Sequence, residues 1–344
     1  MTLIKKILLN LFFKLGIYQV FHFLSRHKIT ILYMHGIIDD TASMLWKPLR
    51  MQHTQQALAV TLKVLSEKYT FISLATAVEI LKKQRPPVDN GLVITLDDGY
   101  LNNLVLGAPL FTHFNIAPTI FVATEHSEHN QPFWFDRLDY ALQQITEENF
   151  QTSIDDEVFV FNCYTRKRLQ QSYAAFRRKI KAHFKSDIAM RDYLCTLCQE
   201  IEQQTGKALN DIINSDPCAA LADWQQLNHA KNSLNFEIGS HTLNHARSGL
   251  VDKHTASREL AESKTKLESK LDTHCTSFCY PDNSYNAHAV QTAAQYYDCA
   301  LTTDTGLNKP NCSLMTLKRF NLPTNDNPLK ILYAISALRN SFKL

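Results

Sequence analysis

The sequence predicts an α/β protein built around a parallel sheet, with a helical insertion. Apolar strand-like segments alternate with helix-like segments in both halves of the chain, the pattern of strand–helix–strand units. Some of these segments are continuous apolar runs, as expected for strands buried on both faces of a parallel sheet. Between the halves, residues 131–222 lack the alternation and carry clusters of charge. The 344-residue length fits one α/β barrel with additions as well as two domains, so length does not decide between them.

The alternation can be followed element by element. In the first half we predict strands over residues 29–34, 70–72, 92–96 and 118–122, and helices over 54–68, 75–83 and 101–114. Pro86 and Pro87 separate the second helix from the apolar strand at 92–96. In the second half we predict helices over 224–230, 255–271 and 287–296, strands over 236–239, 276–280 and 299–302, and a last helix over 326–344.

The N-terminal segment, residues 3–24, is rich in apolar side chains. Lys14 interrupts it, the uncharged stretch that follows is too short for a clear membrane span of about 20 residues, and no small-residue cleavage site appears. Lys6, Asn10 and Lys14 recur at four-residue spacing, so a helix here has one polar stripe and an otherwise mostly apolar surface. Two interpretations remain open: a helix that lies on a membrane surface, and a helix packed on its own domain.

The composition of the chain limits which binding partners and which cellular compartment we expect. A net charge of +3 is too small to favour non-specific nucleic-acid binding, so we expect no nucleic-acid partner. The eight cysteines are dispersed, with only Cys195 and Cys198 closely spaced, and we interpret them as ordinary thiols. The dispersed cysteines and the lack of a cleavage site favour the cytoplasmic face of a membrane, with a location outside the cytoplasm left open.

Two adjacent carboxylates follow the most apolar predicted strand. In parallel α/β sheets, functional sites collect at the carboxyl ends of strands, and Asp97 and Asp98 directly follow the strand at 92–96. Adjacent carboxylates at the mouth of a buried strand repel each other, so they need a cation, a shared proton or separate tasks. The alternative is a turn or helix cap, because Asp-Gly is common in turns.

A histidine pair follows another predicted strand. If the turn after residues 236–239 is helical, His241 and His245 lie on one face with Cβ atoms about 5–6 Å apart, close enough to bind one metal ion. The alternative is two polar surface histidines. Because both pairs occur at strand ends of one sheet, together they favour a metal site.

Two further strand ends carry candidate groups. His35 follows the strand at 29–34, on the same predicted edge, which makes it a candidate general acid or base. The strand at 276–280 leads into Pro281 and Asp282, where the proline would fix a loop and present a backbone N–H.

In this order, the segments Val93–Tyr100, Glu237–His245 and Phe278–Pro281 resemble the signature of the polysaccharide deacetylase family, carbohydrate esterase family four. The resemblance covers about residues 29–130 and 223–325, with residues 1–28 before it, 131–222 as an insertion and 326–344 after it. It implies a distorted (β/α) barrel with fewer than eight complete strands. An N-terminal histidine placed like His35 is similar to the permuted branch that acts on exopolysaccharide, in which that histidine supplies the acid.

The resemblance also implies a metal centre. Asp98, His241 and His245 would bind a divalent metal, with zinc expected, and would leave positions open for water and substrate. Asp97 would be the general base that takes a proton from the metal-bound water as it attacks the acetamide carbonyl.

The remaining roles concern the charge and the proton that move during the reaction. The metal and a backbone N–H near Asp282, in the turn formed with Tyr280 and Pro281, would stabilise the oxyanion. His35 would protonate the departing sugar amine.

Three features depart from the family pattern. Cys279 stands where the family often carries an arginine that orients the base, so we assign that role as a hypothesis to Arg319, which matches a late family arginine. The usual late histidine is absent, which is consistent with His35 taking its task. The insertion has no assigned role, and Trp134 in the aromatic cluster at its start is a candidate for lining a sugar groove, with core packing as the alternative.

We therefore predict metal-dependent removal of the N-acetyl group from an amino sugar in a polysaccharide or a lipid-linked glycan. A second hypothesis keeps the metal site and changes the bond to an O-acetyl ester or a formyl amide. A third is a catalytically impaired, membrane-associated carbohydrate-binding protein. In each case the expected partner is an amino-sugar glycan or a related glycan, and residues 3–24 are the candidate contact with a membrane surface.

Overall fold

A parallel β-sheet forms the centre of the protein. The computed structural model describes residues 10–39, 44–323 and 327–336. In chain order, the strands are β1 (Thr30–Met34), β2 (Ile37–Ile38), β3 (His53–Thr54), β4 (Thr70–Phe71), β5 (Gly91–Leu96), β6 (Thr119–Val122), β7 (Asn149–Ile154), β8 (Glu157–Asn162), β9 (Glu237–Ser240), β10 (Ser277–Cys279), β11 (Cys299–Leu301) and β12 (Phe320–Asn321). The α-helices discussed below are α1 (Ile17–Leu24), α2 (Gln55–Ser66), α3 (Leu74–Leu81), α4 (Ala108–His113), α5 (Thr124–His129), α6 (Trp134–Gln143), α7 (Arg166–His183), α8 (Asp187–Thr205), α9 (Trp224–Ser233), α10 (Lys253–Leu271), α11 (Ala287–Tyr296) and α12 (Pro328–Ala334).

Eight of these strands form the main sheet. Their order is β11, β10, β9, β6, β5, β1 and β12, with β4 beside β5, and every pairing is parallel. A further parallel bridge between Leu301 and Leu317 links β11 to the segment that precedes β12, so the sheet curls towards closure. Because β4 and β12 are only two residues long, the barrel has fewer than eight complete strands. The predicted α/β class with a distorted barrel is confirmed.

The central strand β5 shows why a continuous apolar run predicts a parallel strand. All six of its residues are buried. Leu92, Ile94 and Leu96 join one apolar cluster, and Val93 joins a second cluster with Phe121. Because successive side chains point to opposite faces of a sheet, a strand covered on both faces has to be apolar throughout.

One predicted helix is not a regular α-helix. The stretch predicted as helical over 101–114 consists of a π-helical segment, Asn103–Gly107, followed by α4. Pro109 lies in the first turn of α4, and because proline has no N–H it cannot donate a hydrogen bond to the preceding turn. The regular α-helix therefore starts only at Ala108.

Residues 131–222 leave the main sheet and pack around a separate apolar cluster. They contain α6, α7 and α8, and also an antiparallel hairpin formed by β7 and β8, which the expectation of a purely helical insertion missed. Phe161 of the hairpin, Phe176 of α7 and Leu194 of α8 are all buried in this cluster. Asp155 allows the tight connection between the two strands because it takes a left-handed φ of 51°.

The N-terminal helix is interrupted. Gly16 has a left-handed φ of 72° and α1 begins after it, so the single helix expected over residues 3–24 is broken at this point. Tyr18 is 3% exposed and packs in the main apolar cluster, with Ile17 and Phe21 beside it. One face of α1 is therefore packed on its own domain, as one of the two interpretations expected.

The opposite side of this helix carries exposed apolar side chains. Val20, Phe23 and Leu24 are 57%, 60% and 69% exposed. Within the described residues, no helix combines the length and the apolarity needed to cross a membrane. Parts of both terminal predictions, residues 1–9 and 337–344, lie outside the described chain.

Candidate active site

The side chains expected at one edge of the sheet line a single cavity. Strands β1, β5 and β9 run parallel within one sheet, so the residues that follow them lie at the same edge. A cavity of about 400 Å³ opens there. Its lining includes Asp97 and Asp98 after β5, His241 and His245 after β9, and His35 after β1.

Asp98, His241 and His245 form a buried cluster with metal-ligand spacing. Oδ1 of Asp98 lies 3.4 Å from Nε2 of His241 and 3.3 Å from Nε2 of His245. One candidate ligand atom from each residue lies within 4.8 Å of the other two. Burial alone would raise the pKa of Asp98, but hydrogen bonds with the two histidines hold it well below its usual value. This carboxylate is therefore ionised, as a metal ligand has to be.

The donor set fits a divalent cation. Oδ2 of Asp98 is buried and has no hydrogen-bond partner among the described residues, which is costly for a carboxylate unless a cation compensates it. Nδ1 of His241 lies 2.8 Å from the carbonyl oxygen of Cys279. A proton on Nδ1 donated to this carbonyl leaves Nε2 free to coordinate. Two imidazole nitrogens and one carboxylate oxygen are ligands that suit zinc.

The two histidines do not converge through a helical turn, which corrects the expectation from their spacing. Residues 241–249 are not helical. Thr242 and His245 take left-handed φ angles of 66° and 55°, and the rings of His241 and His245 lie 4.8 Å apart. Asp98 also has a left-handed φ, 75°. Such conformations are unfavourable for these residues, so the surrounding contacts have to maintain them.

Arg191, on α8 of the insertion, supplies part of that support. Its guanidinium donates hydrogen bonds to the backbone carbonyls of Asn244, at 2.6 Å, and His245. The carboxylate of Asp187 accepts hydrogen bonds from Nε of Arg191 at 2.8 Å and from Nε of Arg247 at 2.6 Å. The insertion is thus bonded directly to the loop that carries the second histidine of the cluster.

Arg319 binds the Asp97 carboxylate with both arms of its guanidinium. The Nη1–Oδ1 and Nη2–Oδ2 distances are both 2.8 Å. Nε of Arg319 donates to the carbonyl of Thr302 at 2.8 Å, and Nη2 lies 2.9 Å from Sγ of Cys279. Burial would raise the pKa of Asp97, but the charge and hydrogen bonds of Arg319 hold it below its usual value. This geometry is what the role proposed for Arg319 requires.

Asp97, His241 and Cys279 also lie close enough together to be considered as metal ligands. However, Arg319 already donates hydrogen bonds to both Asp97 and Cys279. A cation placed there would sit against a guanidinium, so the cluster of Asp98, His241 and His245 is the better candidate.

His35 lines the same cavity as the two aspartates. Its side chain is partly buried and lies against the ring of Tyr33, with the ring centres 6.0 Å apart. Burial lowers the pKa of His35, and the charges of Asp98 and Asp97 oppose this effect in part. The neutral imidazole is therefore the stable form at neutral pH.

The predicted oxyanion turn borders the same cavity. Tyr280 and Asp282 line the cavity, and Pro281 begins the short 3-10 turn between β10 and the next helix. Asp282 has a left-handed φ of 54°, and its carboxylate forms an ion pair with Lys181 of α7. Tyr280 is buried and donates its hydroxyl to the carbonyl of Met315 at 3.1 Å.

Trp134 does not line this cavity, contrary to the expectation for a sugar groove. Its neighbour Phe135 does. Trp134 instead lines a neighbouring cavity of about 320 Å³, which shares only His245 with the first. Because Trp134 and Phe135 are adjacent in the first turn of α6, they point in different directions, and the sequence does not distinguish which of them faces the site.

Sequence reasoning missed Arg50, which lines the cavity. Its Nη2 donates to Asp136 and to the hydroxyl of Tyr100, both at 2.7 Å, and its guanidinium lies 4.2 Å from the centre of the Phe135 ring. Arg177 of α7 also lines the cavity; the sequence marked it only as part of a charge cluster. No local pattern identifies either residue, because both reach the site from segments outside the main sheet.

Part of the chain is similar in sequence to a known protein family. Residues 190–297 match the family model described as polysaccharide deacetylase. The chain carries a polysaccharide deacetylase domain over this stretch. It is therefore a hydrolase that acts on amide bonds. The matched region includes His241, His245 and the turn at Pro281, whereas Asp97 and His35 precede it.

Several solved structures share the fold of this chain. A Streptococcus pyogenes deacetylase, PplD, determined in complex with acetate, has a TM-score of 0.58 at 16% identity over 90% of this chain and 99% of its own. A Bacillus cereus polysaccharide deacetylase has a TM-score of 0.55 at 15% identity over 90% and 69% of the two chains. IcaB from Ammonifex degensii has a TM-score of 0.54 at 12% identity over 90% and 97%. At these identities the likeness shows the fold alone, and no curated protein matches this chain in sequence.

Proposed function

We propose that the protein is a metal-dependent deacetylase that hydrolyses the N-acetyl group of an amino sugar in a polysaccharide or a lipid-linked glycan. One observation carries the proposal: the Asp98–His241–His245 cluster and the Arg319-bound Asp97 face the same cavity. A metal-ligand set beside an oriented, ionised carboxylate is what hydrolysis of an unactivated amide requires.

Asp98, His241 and His245 would hold the divalent cation, for which zinc fits the ligands. A cation bound there supplies Lewis acidity, which makes water a nucleophile near neutral pH and polarises the amide carbonyl. The second ring nitrogen of His241, directed at the Cys279 carbonyl, keeps this imidazole in the orientation that coordination needs.

Asp97 accepts the proton of the attacking water. Its carboxylate plane is fixed by the two hydrogen bonds from Arg319, and its low pKa keeps it unprotonated before water is activated. The water oxygen adds to the acetyl carbonyl carbon, and backbone N–H donation from the Asp282 turn offsets the charge on the carbonyl oxygen.

His35 delivers a proton to the sugar nitrogen as the C–N bond breaks. The products are acetate and the free amino sugar. Asp97 then releases to solvent the proton that it took from water, and His35 regains a proton from solvent, so one water molecule is consumed and both residues are restored. His35 is neutral at rest and has to take up a proton before the C–N bond breaks. Because burial lowers its pKa, the protonated imidazole is then a stronger acid and transfers that proton readily to the departing amine. The position of this acid near the N-terminus supports a glycan of the exopolysaccharide class as the substrate.

We also propose that α1 rests on a membrane surface. Phe23 and Leu24 present exposed apolar side chains, and Lys14 and Lys28, both exposed, flank this helix with positive charge. An amphipathic helix of this kind binds an anionic lipid surface through its apolar face and its basic residues.

The proposed reaction is tested by following the products released from matched substrates. Purified protein loaded with Zn²⁺ is incubated with N-acetylglucosamine oligomers, with O-acetylated oligomers and with N-formylated oligomers, and acetate and formate are measured. We expect acetate from the N-acetyl substrate only, loss of activity after chelation, and recovery when the metal is restored.

Two variants link the activity to the cluster. His241→Ala should lose bound metal and acetate release together, whereas His254→Ala, at an exposed histidine on α10, should retain both. Release of acetate only from O-acetyl esters, or formate in place of acetate, would replace the proposed bond with another. Bound metal without release from any substrate would instead favour a carbohydrate-binding protein.

A further inference from the structure

Among the described residues that line the catalytic cavity, one arginine has no ion-pair partner. Arg319 pairs with Asp97, and Arg50 pairs with Asp136. Within the described part of the chain, Arg177 has no ion pair, and its buried Nε has no hydrogen-bond acceptor.

The charge of Arg177 acts on the carboxylate of Asp282, but Asp282 already has an ion-pair partner. Lys181, one turn further along α7, forms an ion pair with Asp282. Two cations, Lys181 and Arg177, therefore share the field of a single carboxylate. Of the other two carboxylates that line the cavity, Asp97 is paired with Arg319 and Asp98 belongs to the proposed metal cluster. One positive charge beside the site is left for a ligand.

Aromatic rings fix Arg177 without using its hydrogen-bond donors. Its guanidinium carbon lies 5.7 Å from the ring centres of Phe135 and Tyr173, and 6.0 Å from that of Trp134. Cation–π contacts of this kind position a guanidinium while its N–H groups remain available. A side chain held in place and facing the cavity loses little conformational entropy when it binds a ligand.

We propose that Arg177 determines substrate specificity by binding an anionic group, a carboxylate or a phosphate, carried by the glycan next to the N-acetylated sugar. A guanidinium presents paired N–H donors that match the oxygens of both groups, and the bond is strengthened by charge. An N-acetylated sugar is itself neutral, so the anion belongs to a neighbouring uronic acid or to a phosphate linkage. The proposal rests on the deacetylase function proposed above.

Matched pairs of substrates separate the effect of the anion from that of the sugar. One pair is an oligosaccharide of alternating N-acetylglucosamine and glucuronic acid, compared with its carboxyl-reduced form. The other is an N-acetylglucosamine disaccharide with and without a phosphate at its reducing end. Binding is measured calorimetrically on metal-loaded Asp97→Asn protein, and kcat/KM for acetate release is measured on the wild-type enzyme.

We expect the anionic member of at least one pair to bind about 10- to 100-fold more tightly than its neutral counterpart, as a charge-assisted bond implies. In Arg177→Gln this ratio should fall to near one. It should persist in Arg178→Gln, which removes the exposed neighbouring arginine on the same helix. Arg177→Lys should keep part of the preference, because the charge remains without the planar donor pair.

The proposal would be overturned if the Asp97→Asn protein that keeps Arg177 bound both members of both pairs equally. It would also be overturned if the ratio of anionic to neutral binding were undiminished in Arg177→Gln. The first comparison needs no substitution at Arg177, so a folding defect in that variant does not protect the proposal. Failure of the deacetylase function gives a different result: the anion preference persists in binding, but no substrate releases acetate. The pair that shows the preference identifies the source of the anion.

Discussion

Arg319 and Asp97 form a bidentate ion pair in which neither partner is accessible to solvent beyond a few per cent of its side chain. Arg319 lies just before β12, far in sequence from the strand that carries Asp97. The planar guanidinium fixes both carboxylate oxygens at once, so it sets the direction in which Asp97 can accept a proton. In the proposed reaction, Arg319 from the segment before β12 would take the orienting role of the arginine that is missing at the position of Cys279.

Replacing Arg319 should slow the chemical step. In Arg319→Lys the charge remains but the two-point contact is lost, and we expect kcat to fall about 100-fold with little change in KM, as misplacement of a catalytic group implies. Arg319→Met should in addition destabilise the fold by about 3–5 kcal/mol, because it leaves a buried carboxylate without its partner. Bound metal in Arg319→Lys serves as the control and should stay stoichiometric. Wild-type kcat in this variant would contradict a positioning role for Arg319.

The hydrogen bonds from Arg191 of the insertion to the loop that carries His245 should affect metal affinity. Arg191→Gln removes the hydrogen bonds to the carbonyls of Asn244 and His245, and we expect the metal dissociation constant to rise about 10- to 100-fold. A competitive chelator titration measures it. Gln199→Ala, an exposed position on the same helix, is the matched control and should bind metal like the wild type. Unchanged affinity in Arg191→Gln would show that the loop holds its shape without the insertion.

The Lys181–Asp282 pair should make stability depend on pH. Burial would raise the pKa of Asp282, but the charge of Lys181, helped by His245, holds it below its usual value. The folded-state pKa therefore lies below the unfolded value of about 4, so the carboxylate stabilises the fold above that pH and loses this contribution as the pH falls through the folded-state pKa.

Lys181→Met should accordingly be less stable than the wild type at about pH 7, and the difference should shrink as the pH is lowered towards about 3. Urea unfolding at several pH values gives the free energies. Lys185→Met, an exposed lysine beyond the end of the same helix, should show no such trend. A difference between Lys181→Met and wild type that is independent of pH would argue that only packing is lost.

Membrane binding by α1 should depend on its exposed apolar face. Replacing Phe23 and Leu24 together by serine should weaken binding to anionic phospholipid vesicles by about 10-fold or more, because each side chain contributes more than 1 kcal/mol when buried. Vesicle sedimentation measures the effect. Val158 and Val160 are also exposed but lie on the hairpin of the insertion, so their replacement by serine is the matched control. Equal vesicle binding by wild type and the α1 variant would rule out this surface.

The sequence predicts the sheet and the residues at its edge because both depend on short-range patterns. A run such as Leu92–Leu96 identifies a buried strand, and Asp97 then lies at its carboxyl end regardless of how the rest of the chain folds. The same reasoning places His35 and His241. The expectation that a helical turn brings His241 and His245 together was wrong. Their spacing shows that the two side chains can meet, but not which backbone conformation brings them together.

Contacts made by the insertion could not be predicted in this way. Arg177 lines the cavity and Arg191 bonds the loop after β9, although both lie far from these strand ends in the sequence. Their positions depend on how α7 and α8 pack. The hairpin at 149–162 did carry a local signal, since Phe159 and Phe161 alternate with exposed positions after the turn at Asp155. For Trp134 and Phe135 no signal separates the two, because only the orientation of α6 decides which ring faces the cavity.

The central claim is that Asp97 performs the chemistry while Asp98, His241 and His245 hold the metal. The most direct test measures metal stoichiometry and acetate release together in Asp97→Asn, with Asp298→Asn at an exposed position as the control. We predict one bound metal ion per chain and at least about 100-fold slower turnover in Asp97→Asn, as loss of a general base implies, with both properties unchanged in the control. Acetate release at the wild-type rate by Asp97→Asn would contradict the account.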